Sequence, residues 1–111
     1  MDKLTKDTIE NHINNNDTML FMKGTPISPQ CGFSAAVIGV LNHLDIKFQS
    51  LNVLEHNEIR EGIKEFSSWP TIPQLYVKGE FVGGCDIVRE MFESGELKDL
   101  LISKGVLKEN T

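Results

Sequence analysis

The clearest pattern in the chain follows Cys31, where Phe33, Val37, Val40, Leu41 and Leu44 recur close to i, i+4, i+7, i+8 and i+11. That spacing predicts an amphipathic helix with one buried face. Upstream, Ile9 and Ile13 stand one turn apart in a helix predicted from about Thr5 to Ile13, which the polar patch at Asn14–Asn16 closes. "TMLFMKG" (18–24) reads as a short buried strand stopped by Gly24 and Pro26, and "GTPISPQ" as a loop. "KFQSLNV" (47–53) is a second predicted strand. "HNEIREGIKEFS" (56–67) is a helix with Ile59, Ile63 and Phe66 on one face and Asn57 as its N-cap. "WPTIP" breaks the pattern, and "QLYV", "KG", "EFVGG" form a hairpin with a two-residue turn. Two helices close the chain, one carrying Ile87, Val88, Met91 and Phe92, the other Leu97, Leu100 and Leu101.

The predicted order is α-β-α-β-α-β-β-α-α. An early β-α-β crossover makes the first two strands parallel, and the late hairpin adds antiparallel strands. The expected architecture is a small mixed α/β sheet with helices on both faces. The loop carrying Cys31 then lies at the carboxyl ends of the parallel strands, where such sheets place ligands.

Composition narrows the class. A chain of 111 residues fits one domain, 1–111, and 40% hydrophobic residues with a mean hydropathy of -0.19 describe an ordinary globule. Eleven basic against 16 acidic residues give a net charge of -5 without a basic run in the sequence, which argues against nucleic acid and against an anionic membrane surface. The apolar runs are too short to span a bilayer, and the amino end has no apolar signal core, so a cytoplasmic location is the expectation. Cys31 and Cys85 form no zinc-type pair, and in a reducing compartment both are expected to rest as thiols.

Cys31 carries the chemistry. At a helix start, free backbone N–H groups and the positive end of the helix dipole favour the thiolate, so its pKa should fall below the free value of about 8.5. Lys23 at the end of the preceding strand adds positive charge, Gly32 leaves room for another backbone, and Phe33 is expected to anchor the helix start. An inert cysteine used as a small hydrophobe is the alternative, disfavoured by the Gly/Pro-rich loop on one side and the polar Ser34 on the other. Ser34 occupies the position of the resolving thiol in a C-x-x-C motif, and a hydroxyl cannot form that disulfide. It can bond the Cys31 sulfur or simply cap the helix.

Other stretches have weaker but related signals. In "WPTIP" the residue before Pro73 is held extended, and a cis Ile72–Pro73 bond would leave the Ile72 backbone groups free to pair with a peptide; a plain strand-entry turn is the alternative. In "GGCD", Gly83 and Gly84 allow an unusual backbone path, Asp86 can cap a helix, and exposed N–H groups can take a carboxylate. Cys85 reads first as a partly buried structural thiol, with a second-site disulfide as the other option. Arg60, in the first turn of its helix, opposes the dipole and suggests an outside anion, against the default of a solvated arginine. His12, His43 and His56 share no metal-binding spacing.

Taken together, "MKGTPISPQCGFS", "WPTIPQLYVKGEFVGGCDIV" and the helix order resemble the monothiol, CGFS-type glutaredoxins from about Thr5 to Leu101. The resemblance implies a single-domain thioredoxin-like fold, a four-stranded mixed sheet flanked by helices on both faces. It also implies a glutathione groove: Lys23 and Arg60 at the glycine carboxylate, the Ile72 backbone at the cysteinyl part, Cys85 and Asp86 at the γ-glutamyl end. Cys31 matches the active thiolate, which in that family also ligates iron. A [2Fe–2S] cluster needs four ligands, which Cys31 from each of two chains and two glutathiones can supply. The function so implied is iron–sulfur cluster assembly and transfer by a homodimer, with BolA-like proteins and apo iron–sulfur proteins as partners. The rival is a glutathione-dependent thiol–disulfide oxidoreductase acting through Cys31, expected to be weak.

Overall fold

In the computed structural model, which describes residues 1–109, Asp2 opens the first helix. Its carboxylate accepts the Thr5 N–H at 2.8 Å, satisfying one of the free donors of α1 (Lys3–Asn14). The helix therefore begins two residues before the expected start at about Thr5. β1 (Thr18–Met22) is buried throughout, and α2 (Gly32–His43) follows the Cys31 loop. β2 (Gln49–Asn52) runs into a 3-10 turn at Val53–Glu55, where the Asn52 side chain accepts the Leu54 N–H. α3 (Asn57–Ser67) is preceded by His56, so Asn57 is its first helical residue rather than its cap, and no side chain caps that end. β3 (Gln74–Val77) and β4 (Glu80–Gly83) form the expected hairpin, with Lys78 (φ 50°) and Gly79 (φ 81°) both left-handed in its two-residue turn. α4 (Cys85–Ser94) and α5 (Glu96–Ser103) complete the order. Asp86 likewise sits inside the first turn of α4 after Gly84 and caps nothing; its charge favours the helix dipole instead.

The sheet has the order β2-β1-β3-β4, with β1 parallel to β2 and antiparallel to β3, and β3 antiparallel to β4. Strand alternation divides the core into two. Leu20, Met22, Leu75 and Val77 face α2, α4 and α5, meeting Val37, Leu41, Val88, Leu97 and Leu101. Met19, Phe21 and Tyr76 face the other way, onto Ile9 and Ile13 of α1 and Ile59 and Ile63 of α3. Each such fully buried aliphatic contributes roughly 1.5–3 kcal/mol through removal from water. Gly62 lets α1 and α3 approach closely, since a Cβ there would stand 2.8 Å from Thr5 Cγ2. The mixed four-stranded sheet with helices on both faces is thus the architecture expected from the pattern. No helix among the described residues is long and apolar enough to cross a membrane.

Candidate functional site around Cys31

The loop between β1 and α2 is pinned rather than slack. Gln30 N–H donates to the Lys23 carbonyl at 2.9 Å, and Thr25 and Ser28 exchange backbone hydrogen bonds at 3.1 and 3.2 Å. Gly24 sits inside this fold at φ 90°, where a Cβ would come within 2.5 Å of Gln30 N and Ser28 O. Its N–H is held by Asn52 Oδ1 at 2.9 Å, which ties the loop to the end of β2. The result fixes Cys31 as the extended residue before α2 (φ -151°, ψ 135°), its carbonyl accepting the Ala35 N–H.

Cys31 is half-buried and its thiol pKa is lowered. The main cause is the Ser34 backbone N–H aimed at the sulfur, opposed by partial burial and aided by the Phe33 N–H, the Lys23 charge and the Ser34 hydroxyl. Two expectations need correction here. Ser34 is 0% exposed and its Oγ accepts the Lys23 N–H at 3.1 Å, so the hydroxyl is an internal brace and not part of an open polar face. Phe33 is 61% exposed and anchors nothing in the core, because at the first turn of α2 it lies on the outer side, over the cleft beside Cys31.

That cleft, of ≈ 190 Å³, brings together Phe33, Ile72, Cys85 and Asp86 with Trp69, Thr71, Pro73 and Gly84. The Ile72–Pro73 peptide is cis, and Ile72, 5% exposed, packs into the core on the α1/α3 side of the sheet while lining the cleft. Neither Ile72 backbone group takes part in the turn and loop hydrogen bonds around it. Cys85 is 7% exposed, and burial pushes its thiol pKa up; Arg89 offsets this in part, while Asp86 and Cys31 add to it. Cys85 lines the cleft, whereas Cys31 and Lys23 stand outside its lining, just before Phe33 and at the end of β1. Arg60 lies in the first turn of α3, half-buried and outside this cleft's lining, at the same end of the sheet as Cys31. Neither Arg60 nor Lys23 forms an ion pair among the described residues.

Two positioning residues are absent from the sequence reading. Gln74, fully buried, donates through Nε2 to the Trp69 and Thr71 carbonyls, both at 3.1 Å, and accepts the Tyr76 hydroxyl on Oε1 at 3.1 Å. It holds the shape of the 69–72 loop from within the sheet. Burial carries Tyr76 up to about 12, which keeps its hydroxyl a donor to Gln74. Asn52 is the second, bridging Gly24 N–H and Leu54 N–H. A polar residue inside a "QLYV" strand is the one signal that pointed to Gln74. No group of three or more His, Cys, Asp and Glu side chains converges to hold a metal ion among the described residues.

The glutaredoxin family model matches residues 18–82, which contain Cys31, the 69–73 loop and the hairpin. The chain is 57% identical over 93 residues to a probable monothiol glutaredoxin 2 of Rickettsia conorii, covering 84% of this chain and 87% of that one. It is 54% identical over 101 residues to an uncharacterized monothiol glutaredoxin of Synechocystis, covering 91% and 94%. Among solved structures, a monomeric truncated mutant of Trypanosoma brucei 1-C-Grx1 superposes with a TM-score of 0.85 at 46% identity, over 96% of each chain. With its single thiol at the start of α2 and its thioredoxin-like sheet, this chain belongs to the glutaredoxin family, in the monothiol class.

Proposed function

We propose that the chain binds glutathione in the cleft beside Cys31 and, as a homodimer, carries a [2Fe–2S] cluster for assembly and transfer to apo iron–sulfur proteins. The observation that carries this reading is a partly exposed thiol with a lowered pKa, the other cysteine being buried, next to a cleft lined by the neighbouring Phe33. Lys23 and Arg60 are the cations for the glycine carboxylate. The unpaired Ile72 backbone groups suit the cysteinyl amide, and the Gly84–Asp86 turn with its first helical N–H groups suits the γ-glutamyl end. The donor set fits a cluster as cargo: one soft thiolate per chain supplies two of four ligands in a dimer, and exchangeable glutathione thiolates supply the rest. BolA-like proteins, offering other donors, are partners of the same exposed thiolate.

A second reading rests on the lowered pKa of Cys31. The thiolate attacks the glutathione sulfur of a protein mixed disulfide, releasing the protein thiolate and leaving Cys31 joined to glutathione. A second glutathione thiolate then attacks that bond, returning Cys31 as thiolate and leaving as glutathione disulfide. Anaerobic reconstitution with iron, sulfide and glutathione separates the two. A coloured dimer that needs both glutathione and Cys31 supports the carrier, and a Cys31→Ser protein that keeps the cluster refutes it. A colourless monomer that reduces mixed disulfides supports the enzyme.

A further inference from the structure

Ion pairing divides the eleven basic side chains into two sets. Lys3, Lys6, Lys64, Lys78 and Lys104 each pair with a carboxylate. The other six pair with none among the described residues, and they fall at opposite poles of the molecule. Lys23, Arg60 and Arg89 lie at the Cys31 end. Lys47, Lys98 and Lys108, distant in sequence, converge at the far end on an open cleft of ≈ 640 Å³.

This cleft lies where α2 ends, β2 is approached, α4 turns into α5 and the chain leaves α5. Its floor is apolar, built from Leu44, Phe92 and Leu107 at the margin of the core, with the Phe92 ring braced edge-on by His43 at 5.2 Å. Among the described residues, Asp45 is the only acid in its lining. Lys47 and Val106 also line an adjoining cleft of ≈ 380 Å³ that reaches Thr18. Thr18 is 2% exposed and its hydroxyl has no hydrogen-bond partner, which is rare for a buried polar group. The acid beside it, Asp17, is already paired with Lys78.

A lone lysine over apolar surface is ordinary, since its stem covers carbon and its head stays in water. Three that converge on a lining with one acid, on a chain of net charge -5, around an aromatic ring and next to a second cleft that Lys47 shares with the orphan Thr18 hydroxyl, describe a surface complementary to something acidic and partly apolar. We propose that this two-lobed cleft docks an acidic segment of a partner protein, its apolar anchor on Phe92 and Leu107 and its carboxylates among Lys47, Lys98 and Lys108. Two adjoining lobes open to solvent, sharing Lys47 and Val106, suit an extended segment better than an enclosed small molecule. The twelve residues of α2 separate it from Cys31 by about 18 Å at the helical rise of 1.5 Å per residue, so a partner held there leaves the thiol clear. The site stands independently of the glutathione and cluster readings.

The test is an amide chemical-shift titration of the full chain with a synthetic peptide of four glutamates flanking a Phe-Leu pair. Saturable shifts at Leu44–Lys47, Phe92, Lys98 and Val106–Lys108 are expected, weakening as salt is raised. The triple charge reversal K47E/K98E/K108E should weaken binding by about tenfold or more. The milder K47Q/K98Q/K108Q gives the same comparison if reversal disturbs folding. Equal binding by the variants, or by the same peptide with glutamines for glutamates, overturns the proposal. Equal shifts from succinate alone overturn the peptide occupant, and shifts confined to the Cys31 end overturn the location.

Discussion

Replacing Ser34 by alanine separates two effects carried by one residue. The Ser34 backbone N–H is the largest influence holding the Cys31 pKa down, while its buried hydroxyl accepts the Lys23 N–H at 3.1 Å. Alanine keeps the first and removes the second, along with the hydroxyl's smaller contribution to the lowered Cys31 pKa. Leaving a buried donor unsatisfied costs ~1–3 kcal/mol, and because Lys23 is only half-buried the lower part of that range applies, ~1–2 kcal/mol. With an unfolding entropy of ~2.1 cal/mol/K per residue, a chain of 111 residues loses about 4–9 °C in Tm for that change. Calorimetry of the reduced protein gives the Tm, and the pH dependence of iodoacetamide alkylation gives the thiol. The expected outcome is a lowered Tm with the Cys31 midpoint still below that of a free thiol. An unchanged Tm, or a midpoint restored to the ordinary value, would refute the division of labour between backbone and hydroxyl.

The two cysteines should titrate in opposite directions. Peptide mapping of alkylation across pH should find Cys31 reacting with a midpoint below the free-thiol value and Cys85 above it. In stability terms, the depressed Cys31 pKa adds stability that is complete above the unfolded pKa and lost as pH falls through the folded one. The raised Cys85 pKa adds stability that is complete below the unfolded pKa and lost as pH rises toward the folded one. Hence chemical denaturation of Cys85→Ala should lose less stability than wild type between neutral pH and the alkaline range. Gly24→Ala forces a Cβ against two backbone atoms in a left-handed conformation, so a loss of at least ~1–2 kcal/mol and a Cys31 alkylation midpoint moved up are expected. Gln74→Met, close in volume, removes both donors to the 69–72 loop and strands the Tyr76 hydroxyl, with ~2–4 kcal/mol expected in urea denaturation and weaker glutathione binding by calorimetry. Phe33→Ala should leave stability within about 0.5 kcal/mol yet weaken glutathione binding, since its ring is exposed over the cleft.

Periodicity carried the fold well where it was clean. Ile9 and Ile13 and the α2 stripe beyond Phe33 each have a single face to bury, and each buries it, while the continuous apolar run "TMLFM" marks a strand buried on both faces. The hairpin was legible because two adjacent left-handed positions need a short, permissive turn, which Lys78-Gly79 supplies. Caps were read less well: Asn57 and Asp86 look like N-caps in sequence, but each helix starts a residue or two earlier, at positions set by the preceding turn. Around Cys31 the chemistry of the thiol was readable from its place before a helix. What was not readable is how its neighbours point. Phe33 and Ser34 are adjacent, yet one turns to solvent and the other to the sheet, because successive helical residues are rotated by roughly 100°. Contacts between distant segments, such as Gln74 under the 69–72 loop, Asn52 to Gly24, and the three lysines at the far pole, exist only once the sheet is assembled.

The two separate apolar cores have a bearing on how the molecule breathes. α2 and α4, which supply Phe33, Cys85 and Asp86 to the cleft, rest on one core, whereas the 69–73 segment follows the end of α3, which rests on the other. A partial opening of either half therefore dismantles the cleft, even if the other half stays packed. A molecule bound across it acts as a clasp between two otherwise independently fluctuating layers, and saturation at about a hundredfold over Kd adds ~2.7 kcal/mol against both kinds of opening. Slowed amide exchange should then appear together in α1, α3 and α4, including helices that never touch the ligand.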